Sequence, residues 1–131
     1  MFKSFIRRWK MLEMMDIGIE KAVAYRLGGK ITEDEMTLAL SAIKEKIVTY
    51  GEVFIYQEIE SVGGVEIDAI VEKFKFFFDV GISNISRIAV VTHKKWMHKI
   101  IDLEGKIFKK IEMKSFSIDN KNEAIEFLKN T

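Results

Sequence analysis

The two histidines of the chain, His93 and His98, are its best candidates for metal binding or proton transfer. A pair of metal ligands on a helix needs a spacing of three or four residues, so that both rings share one face. A spacing of five separates the rings by about 140° on an ideal helix. His98 and Asp102 lie one turn apart and could form a hydrogen-bonded pair, but Lys95 and Lys99 beside them favour a solvated helix face.

No other pattern in the sequence predicts catalysis. Cysteine is absent, which excludes thiolate metal sites, cysteine nucleophiles and disulfides. The glycine pairs at residues 28–29 and 63–64 lack the spacing of a phosphate-binding loop and are interpreted as turns. Carboxylates are plentiful, but one sequence does not show which of them converge in a pocket. We therefore expect no catalytic residue, no metal ligand and no cofactor, and predict that the protein is not an enzyme.

Residues 65–80 have more apolar surface than one packed helix needs. The stripe expected to pack on the domain comprises Ile67, Ile70, Val71, Phe74, Phe77 and Phe78. A second stripe comprises Val65, Ala69, Phe76 and Val80. Leaving Phe76 in water would forgo roughly 1.5–3 kcal/mol of burial free energy, so we expect something to cover it. A neighbouring helix or a dimer mate is the favoured cover, and a lipophilic pocket is the next.

A further helix predicted over residues 94–104 adds Trp96 and Met97 to this apolar surface. Methionine and tryptophan together suit an adaptable apolar pocket, and they suit an ordinary core equally well. Together with the second stripe, they make up the predicted ligand-binding residues, which are Val65, Ala69, Phe76, Val80, Trp96 and Met97.

The first ten residues are basic and contain no acidic side chain. Their apolar side chains fall at positions i, i+3, i+4 and i+7, and basic side chains flank them, as in a helix that lies at a membrane surface. The predicted membrane-contact residues are Phe2, Phe5, Ile6, Arg7, Arg8 and Trp9. Two alternatives stay open: the segment docks on the domain or a partner subunit, or it is a disordered extension.

Strands and helices alternate along the rest of the chain. Alternating or continuous apolar runs predict strands at residues 11–17, 23–27, 52–59, 87–92 and 110–118. Helical spacing and caps predict helices at residues 32–50, 65–80, 94–104 and 119–128, the last one capped by Asp119 or Asn120. This order predicts an α/β fold with a mixed, mainly parallel five-stranded sheet and about four helices.

The chain resembles a known family in this order and in four short stretches. These stretches are Gly29-Lys30-Ile31-Thr32 before the first helix, Arg87-Ile88-Ala89-Val90-Val91, Lys95-Trp96, and Glu123-Ala124 with Phe127-Leu128. They resemble the SpoIIAA-like group of the STAS (sulfate transporter and anti-sigma antagonist) fold over about residues 11–130. The resemblance implies a five-stranded mixed sheet, frequent dimers, and a shape similar to CRAL-TRIO lipid-transfer domains. It also implies a lipophilic ligand or a membrane as a partner.

One departure from that family concerns its phosphorylated serine. Anti-sigma antagonists begin the second helix with an Asp-Ser-Ser-Gly-type motif, whereas this chain reads Glu60-Ser61-Val62-Gly63-Gly64-Val65. Ser61 is the only hydroxyl nearby, and the motif is missing. The departure argues against control of a sigma factor by phosphorylation.

The bulk properties limit the remaining possibilities. Lysine and arginine number 21 against 20 aspartates and glutamates, a balance that argues against nucleic acid as a partner. No apolar run approaches the roughly 18 residues of a membrane span, and no signal-peptide core is present, so a cytoplasmic location is expected. We divide the chain into an extension, residues 1–10, and one STAS-like α/β domain, residues 11–131.

The sequence therefore predicts a non-enzymatic STAS-like binding domain, expected to be a homodimer. It would bind a lipophilic ligand or associate peripherally with a membrane, with Arg7, Arg8 or the lysines near Trp96 meeting an anionic head group. The first alternative is a protein-interaction regulator that resembles anti-sigma factor antagonists but lacks the phosphoserine motif. The second is an unrecognised enzyme, which would require a polar cleft with convergent carboxylates or His98.

Overall fold

The computed structural model describes residues 12–27, 33–59, 84–93 and 111–129. These residues form five strands: β1 (Leu12–Met15), β2 (Ala22–Leu27), β3 (Val53–Ile59), β4 (Ile85–Thr92) and β5 (Glu112–Ser117). They also form two α-helices, α1 (Glu33–Tyr50) and α2 (Lys121–Lys129), and a 3-10 turn (Ile118–Asn120) just before α2. The predicted helices at residues 65–80 and 94–104 lie outside the described residues, as does the extension of residues 1–10.

The strands form one sheet in the order β1-β2-β3-β4-β5. β1 runs antiparallel to β2, and the other three neighbouring pairs are parallel. The prediction of a five-stranded mixed sheet is confirmed. The predicted number of about four helices compares with two α-helices in the described part of the chain.

Each face of the sheet carries its own apolar core. The face toward α1 buries side chains such as Tyr25, Ile55 and Ile88, and α1 contributes Met36, Ala39, Leu40 and Ile43. The opposite face buries Tyr56, Ala89 and Phe116 against Ala124 and Leu128 of α2. Because both faces are covered, all seven residues of the central strand β3 are buried.

Helix α1 ends at Tyr50, and Gly51 follows it directly. Gly51 has a φ of 81°, and its N–H donates to the carbonyl of Ile47 at 2.8 Å. A residue with a side chain would be strained in this left-handed conformation, so glycine is the natural helix stop. Near the other end of α1, the Glu35 carboxylate accepts a hydrogen bond from the backbone N–H of Leu12 at 3.0 Å, which joins the helix to β1.

The start of α2 differs from the prediction. Asp119 and Asn120 lie inside the 3-10 turn, and the side-chain cap there is Ser117, whose Oγ accepts from the N–H of Asp119 at 3.3 Å. Asp119 and Asn120 are therefore residues of the turn before α2, and the capping side chain lies upstream of both.

At its other end α2 is held by Arg87 of β4. The Arg87 guanidinium donates to the carbonyl of Phe127 at 2.6 Å and lies 5.3 Å from the centre of the Phe127 ring. Its Nε also lies 3.2 Å from a carboxylate oxygen of Glu112 on β5. One arginine thus connects β4, β5 and the last turn of α2.

Candidate functional site

The residues predicted to bind a ligand or a membrane all lie outside the described residues. This applies to Val65, Ala69, Phe76, Val80, Trp96 and Met97, and to Phe2, Phe5, Ile6, Arg7, Arg8 and Trp9. His93 follows the end of β4, while His98 lies outside the described residues, so their relative placement stays a prediction. Within the described ranges, no group of three or more potential metal-ligating His, Cys, Asp or Glu side chains occurs.

A charged cluster lies instead at the carboxyl ends of the parallel strands. Glu58 is the next-to-last residue of β3, its side chain is fully buried, and it pairs in register with Arg26, the next-to-last residue of β2. The Nε of Arg26 lies 3.4 Å from Oε1 of Glu58, and the Nζ of Lys121 lies 2.8 Å from the same oxygen. Lys121 is the first residue of α2. Two cations from different elements therefore converge on one buried carboxylate.

The other oxygen of Glu58 accepts a hydrogen bond from Tyr56, whose hydroxyl lies 3.2 Å away. Burial raises the pKa of Tyr56, and the negative charge of Glu58 raises it further. The phenol therefore keeps its proton at neutral pH and remains a donor. We refer to Arg26, Tyr56, Glu58 and Lys121 as the Glu58 cluster.

The position of the Glu58 cluster is significant in a fold of this kind. Open α/β sheets bind ligands beyond the carboxyl ends of their strands. A buried ion pair contributes little net stability compared with apolar packing, since each charge loses its hydration. Such a cluster is therefore a candidate for binding as well as for structure.

The Glu58 cluster is not among the predicted sites, although the sequence contains a signal for it. Residues 52–59 are predicted as a strand between two helix-containing units, and in the structure this strand is the third of five. A central strand covered on both faces offers no route to water for Glu58, so its carboxylate requires a cationic partner. Arg26, near the end of the preceding predicted strand, was the cation in reach.

A second polar group joins the opposite ends of the same strands. Glu52, just before β3, accepts a hydrogen bond from Ser86 Oγ at 2.7 Å and another from Lys21 Nζ at 3.1 Å. The bonds from Ser86 and Lys21 hold the pKa of the Glu52 carboxyl below its usual range, against a smaller opposing effect of desolvation. This group links the starts of β2, β3 and β4 at the surface.

Replacing Ser86 by alanine should raise the pKa of Glu52 toward the usual glutamate range, because the Ser86 hydroxyl is the largest cause of its depression. A depressed carboxyl pKa stabilises the fold above the pKa of the unfolded chain, and this stabilisation is lost as the pH falls through the folded-state pKa. Carboxyl ¹³C NMR titration of wild type and Ser86→Ala measures the change, with Ser41→Ala on the exposed side of α1 as the control. An unchanged Glu52 titration in Ser86→Ala would contradict this assignment.

An apolar cleft lies between the β1–β2 connection and α1. Its volume is about 440 Å³. Its apolar walls are Met14, Met15, Ile17, Ile19, Ala22, Val23, Ala24 and Ala42. The charged side chains around it are Asp16, Glu20 and Lys46. Its size falls in the usual range for small-molecule pockets, which are lined mainly by apolar side chains with a few polar groups.

Comparison with known proteins identifies the family. The family model described as SpoIIAA-like matches residues 22–129, which include β2, both described helices and the Glu58 cluster. The chain belongs to the SpoIIAA-like family, which has the STAS fold. The comparisons with curated proteins and with solved structures found no match. Among the described helices, none combines the length and apolar character required to cross a membrane.

Proposed function

We propose that this chain is a non-enzymatic STAS-type binding domain that accepts a lipophilic ligand. The observation that carries the proposal is the apolar cleft between the β1–β2 connection and α1. A ligand in such a cleft would gain free energy from burial of its apolar surface. Asp16, Glu20 and Lys46 around the cleft sum to one negative charge, so a neutral polar group on the ligand is favoured over an anionic one.

The cleft predicts a specific effect of substitutions on α1. Ala42 forms part of its wall, and Ala42→Phe would fill part of the space, whereas the neighbouring Ser41 is exposed and does not line it. The neutral apolar dye N-phenyl-1-naphthylamine is expected to bind the wild type and Ser41→Phe equally. Its affinity for Ala42→Phe should fall roughly tenfold or more, as expected for losing the burial of an aromatic ring.

Dye titration by fluorescence measures this difference, and urea denaturation of all three proteins checks that each is folded. Equal dye binding by Ala42→Phe and Ser41→Phe would remove the cleft from the proposal. No dye binding by the wild type would remove the lipophilic-ligand function at this cleft.

The proposal also includes the apolar residues predicted from the sequence. Val65, Ala69, Phe76, Val80, Trp96 and Met97 would contact ligand or a second copy of the chain in a homodimer. Native mass spectrometry of the purified protein reports both a co-purified lipid and the number of subunits. A stable protein partner in pull-downs, lost on Phe76→Glu, with no lipid bound would instead favour the protein-interaction regulator.

Peripheral membrane association is proposed for the basic N-terminal segment. Phe2, Phe5, Ile6 and Trp9 would enter the interface, while Arg7 and Arg8 would meet anionic head groups. Flotation with liposomes that contain anionic phosphatidylserine should recover the full chain and lose it when residues 1–10 are removed. Equal recovery of both forms would assign membrane contact to another surface, and no recovery of either form would end this part of the proposal.

A further inference from the structure

Methionine thioethers are the side chains of this protein that a mild oxidant would modify first. The chain contains no cysteine, whose thiolate would otherwise compete for the oxidant, and it has 7 methionines. Two of them, Met14 and Met15, are neighbours in β1, and both line the apolar cleft. Oxidisable sulfur is therefore part of the wall of the cleft.

Among the described methionines, Met14 is the most accessible to a dissolved oxidant. It is 39% exposed, whereas Met15 and Met113 are half-buried and Met36 is 2% exposed. Met14 lies on β1, at an end of the strand order, while Met15 packs against the core on the α2 side of the sheet. Because oxidation follows exposure, Met14 should react before the others.

Oxidation would change the character of the cleft wall at this position. A methionine thioether is apolar and flexible, and it adapts to the shape of an apolar ligand. The sulfoxide is polar and chiral, and its oxygen accepts hydrogen bonds from water. A lipophilic ligand packed against that oxygen would displace the water without replacing its hydrogen bond, which is unfavourable. The oxidised cleft would therefore bind an apolar ligand more weakly.

We propose that Met14 is an oxidation site that switches the apolar cleft, because a peroxide converts its thioether to the sulfoxide and so weakens binding of a lipophilic ligand. The inference rests on the proposed function, since it requires the cleft to bind such a ligand.

The chemical step needs only hydrogen peroxide. The Met14 sulfur attacks one peroxide oxygen, an S–O bond forms, and the O–O bond breaks. Sulfur loses two electrons, and the second oxygen leaves as water after taking the proton of the first. Methionine sulfoxide reductases reverse the change with thiols that are oxidised to a disulfide, and the oxygen is released as water.

Titration of the full chain with N-phenyl-1-naphthylamine, before and after treatment with hydrogen peroxide, tests this site. The measured quantity is the ratio of the two dye affinities for each protein. The affinity of the wild type should fall roughly threefold to tenfold, as expected when part of a buried apolar contact is lost, and it should recover on treatment with the reductases. Peptide mass spectrometry should find sulfoxide at Met14 earlier than at the other described methionines.

Three variants of β1 locate the effect. Met14→Leu removes the sulfur with little change in volume, so its affinity should be the same before and after peroxide. Met15→Leu is the matched control, because it removes the neighbouring sulfur from the same wall, and it should lose affinity on oxidation as the wild type does. Met14→Gln places a polar amide at this position and should bind the dye weakly without any peroxide.

A fall in affinity of Met14→Leu as large as that of the wild type would overturn the assignment. Circular dichroism should show that the oxidised wild type stays folded, and unfolding on oxidation would also overturn it, because affinity would then fall without a role for the cleft wall. If the untreated wild type does not bind the dye, the proposed function and this inference fail together. If it binds the dye equally with Met14 oxidised, this inference alone fails.

Discussion

Replacing Arg26 and Lys121 together by methionine is expected to lower the free energy of unfolding by about 3–5 kcal/mol. Glu58 is fully buried in the central strand, and among the described residues these two cations contact its Oε1. Without them the carboxylate keeps the hydrogen bond from Tyr56 but loses the charges that compensate for its lost hydration. Urea denaturation followed by circular dichroism measures the difference.

Removing the charge of Glu58 provides an internal control for the double substitution. Adding Glu58→Gln removes the uncompensated charge and keeps an oxygen that accepts from Tyr56. The triple variant should therefore recover most of the stability that the double variant lost. Glu58→Gln alone should cost much less than the double variant, because Arg26 and Lys121 both reach solvent and can be hydrated there. A triple variant no more stable than the double one would show that the loss comes from packing by the two long side chains.

Much of the sheet follows from periodicity alone. The run Ile88-Ala89-Val90-Val91 predicts a strand with both faces covered, and in the structure these four residues are buried alternately against the α1 side and the α2 side. The strand predicted at residues 110–118 corresponds to β5, which lies at an end of the strand order with Glu112 and Lys114 exposed. Such patterns can be recognised in a sequence because the burial of each strand position determines whether its side chain is apolar or polar.

The Glu58 cluster could not be assembled from the sequence in the same way. Its members come from β2, β3 and α2, and Lys121 is separated from Glu58 by more than sixty residues of chain. Its ion pair with Glu58 depends on where α2 begins, and the 3-10 turn determines that position. The predicted cap at Asp119 or Asn120 left the first helical residue uncertain by one position, which on a helix rotates a side chain by about 100°.

The apolar cleft was missed for a different reason. Met14, Met15, Ile17 and Ile19 belong to a β-strand and its connection, which local patterns identify only as an initial strand at residues 11–17. Their proximity to Ala42 and Lys46 depends on α1 packing across the same sheet. The sequence instead predicts surplus apolar surface at residues 65–80, because helical periodicity makes a second apolar stripe easy to recognise.

Substituting Leu128 by alanine is expected to lower the free energy of unfolding by about 2–5 kcal/mol, the usual range for a leucine removed from a packed core. Leu128 is fully buried, and with Ala124 it forms the buried side of α2 against the sheet. Glu126→Ala, on the exposed side of the same helix, should change stability by no more than about 0.5 kcal/mol. Urea denaturation of the two variants gives the comparison.

Leu128→Ala should also affect the Glu58 cluster, because Leu128 and Lys121 belong to the same helix. α2 carries Lys121 in its first turn and Leu128 in its last, so a helix that packs less firmly on the sheet holds the Lys121 ammonium less firmly on Glu58. Amide hydrogen exchange should therefore quicken along α2 in Leu128→Ala, including at the backbone amide of Lys121, while Glu126→Ala leaves it unchanged. Faster exchange confined to the last turn of α2 would show that Lys121 keeps its place independently of the C-terminal half of α2.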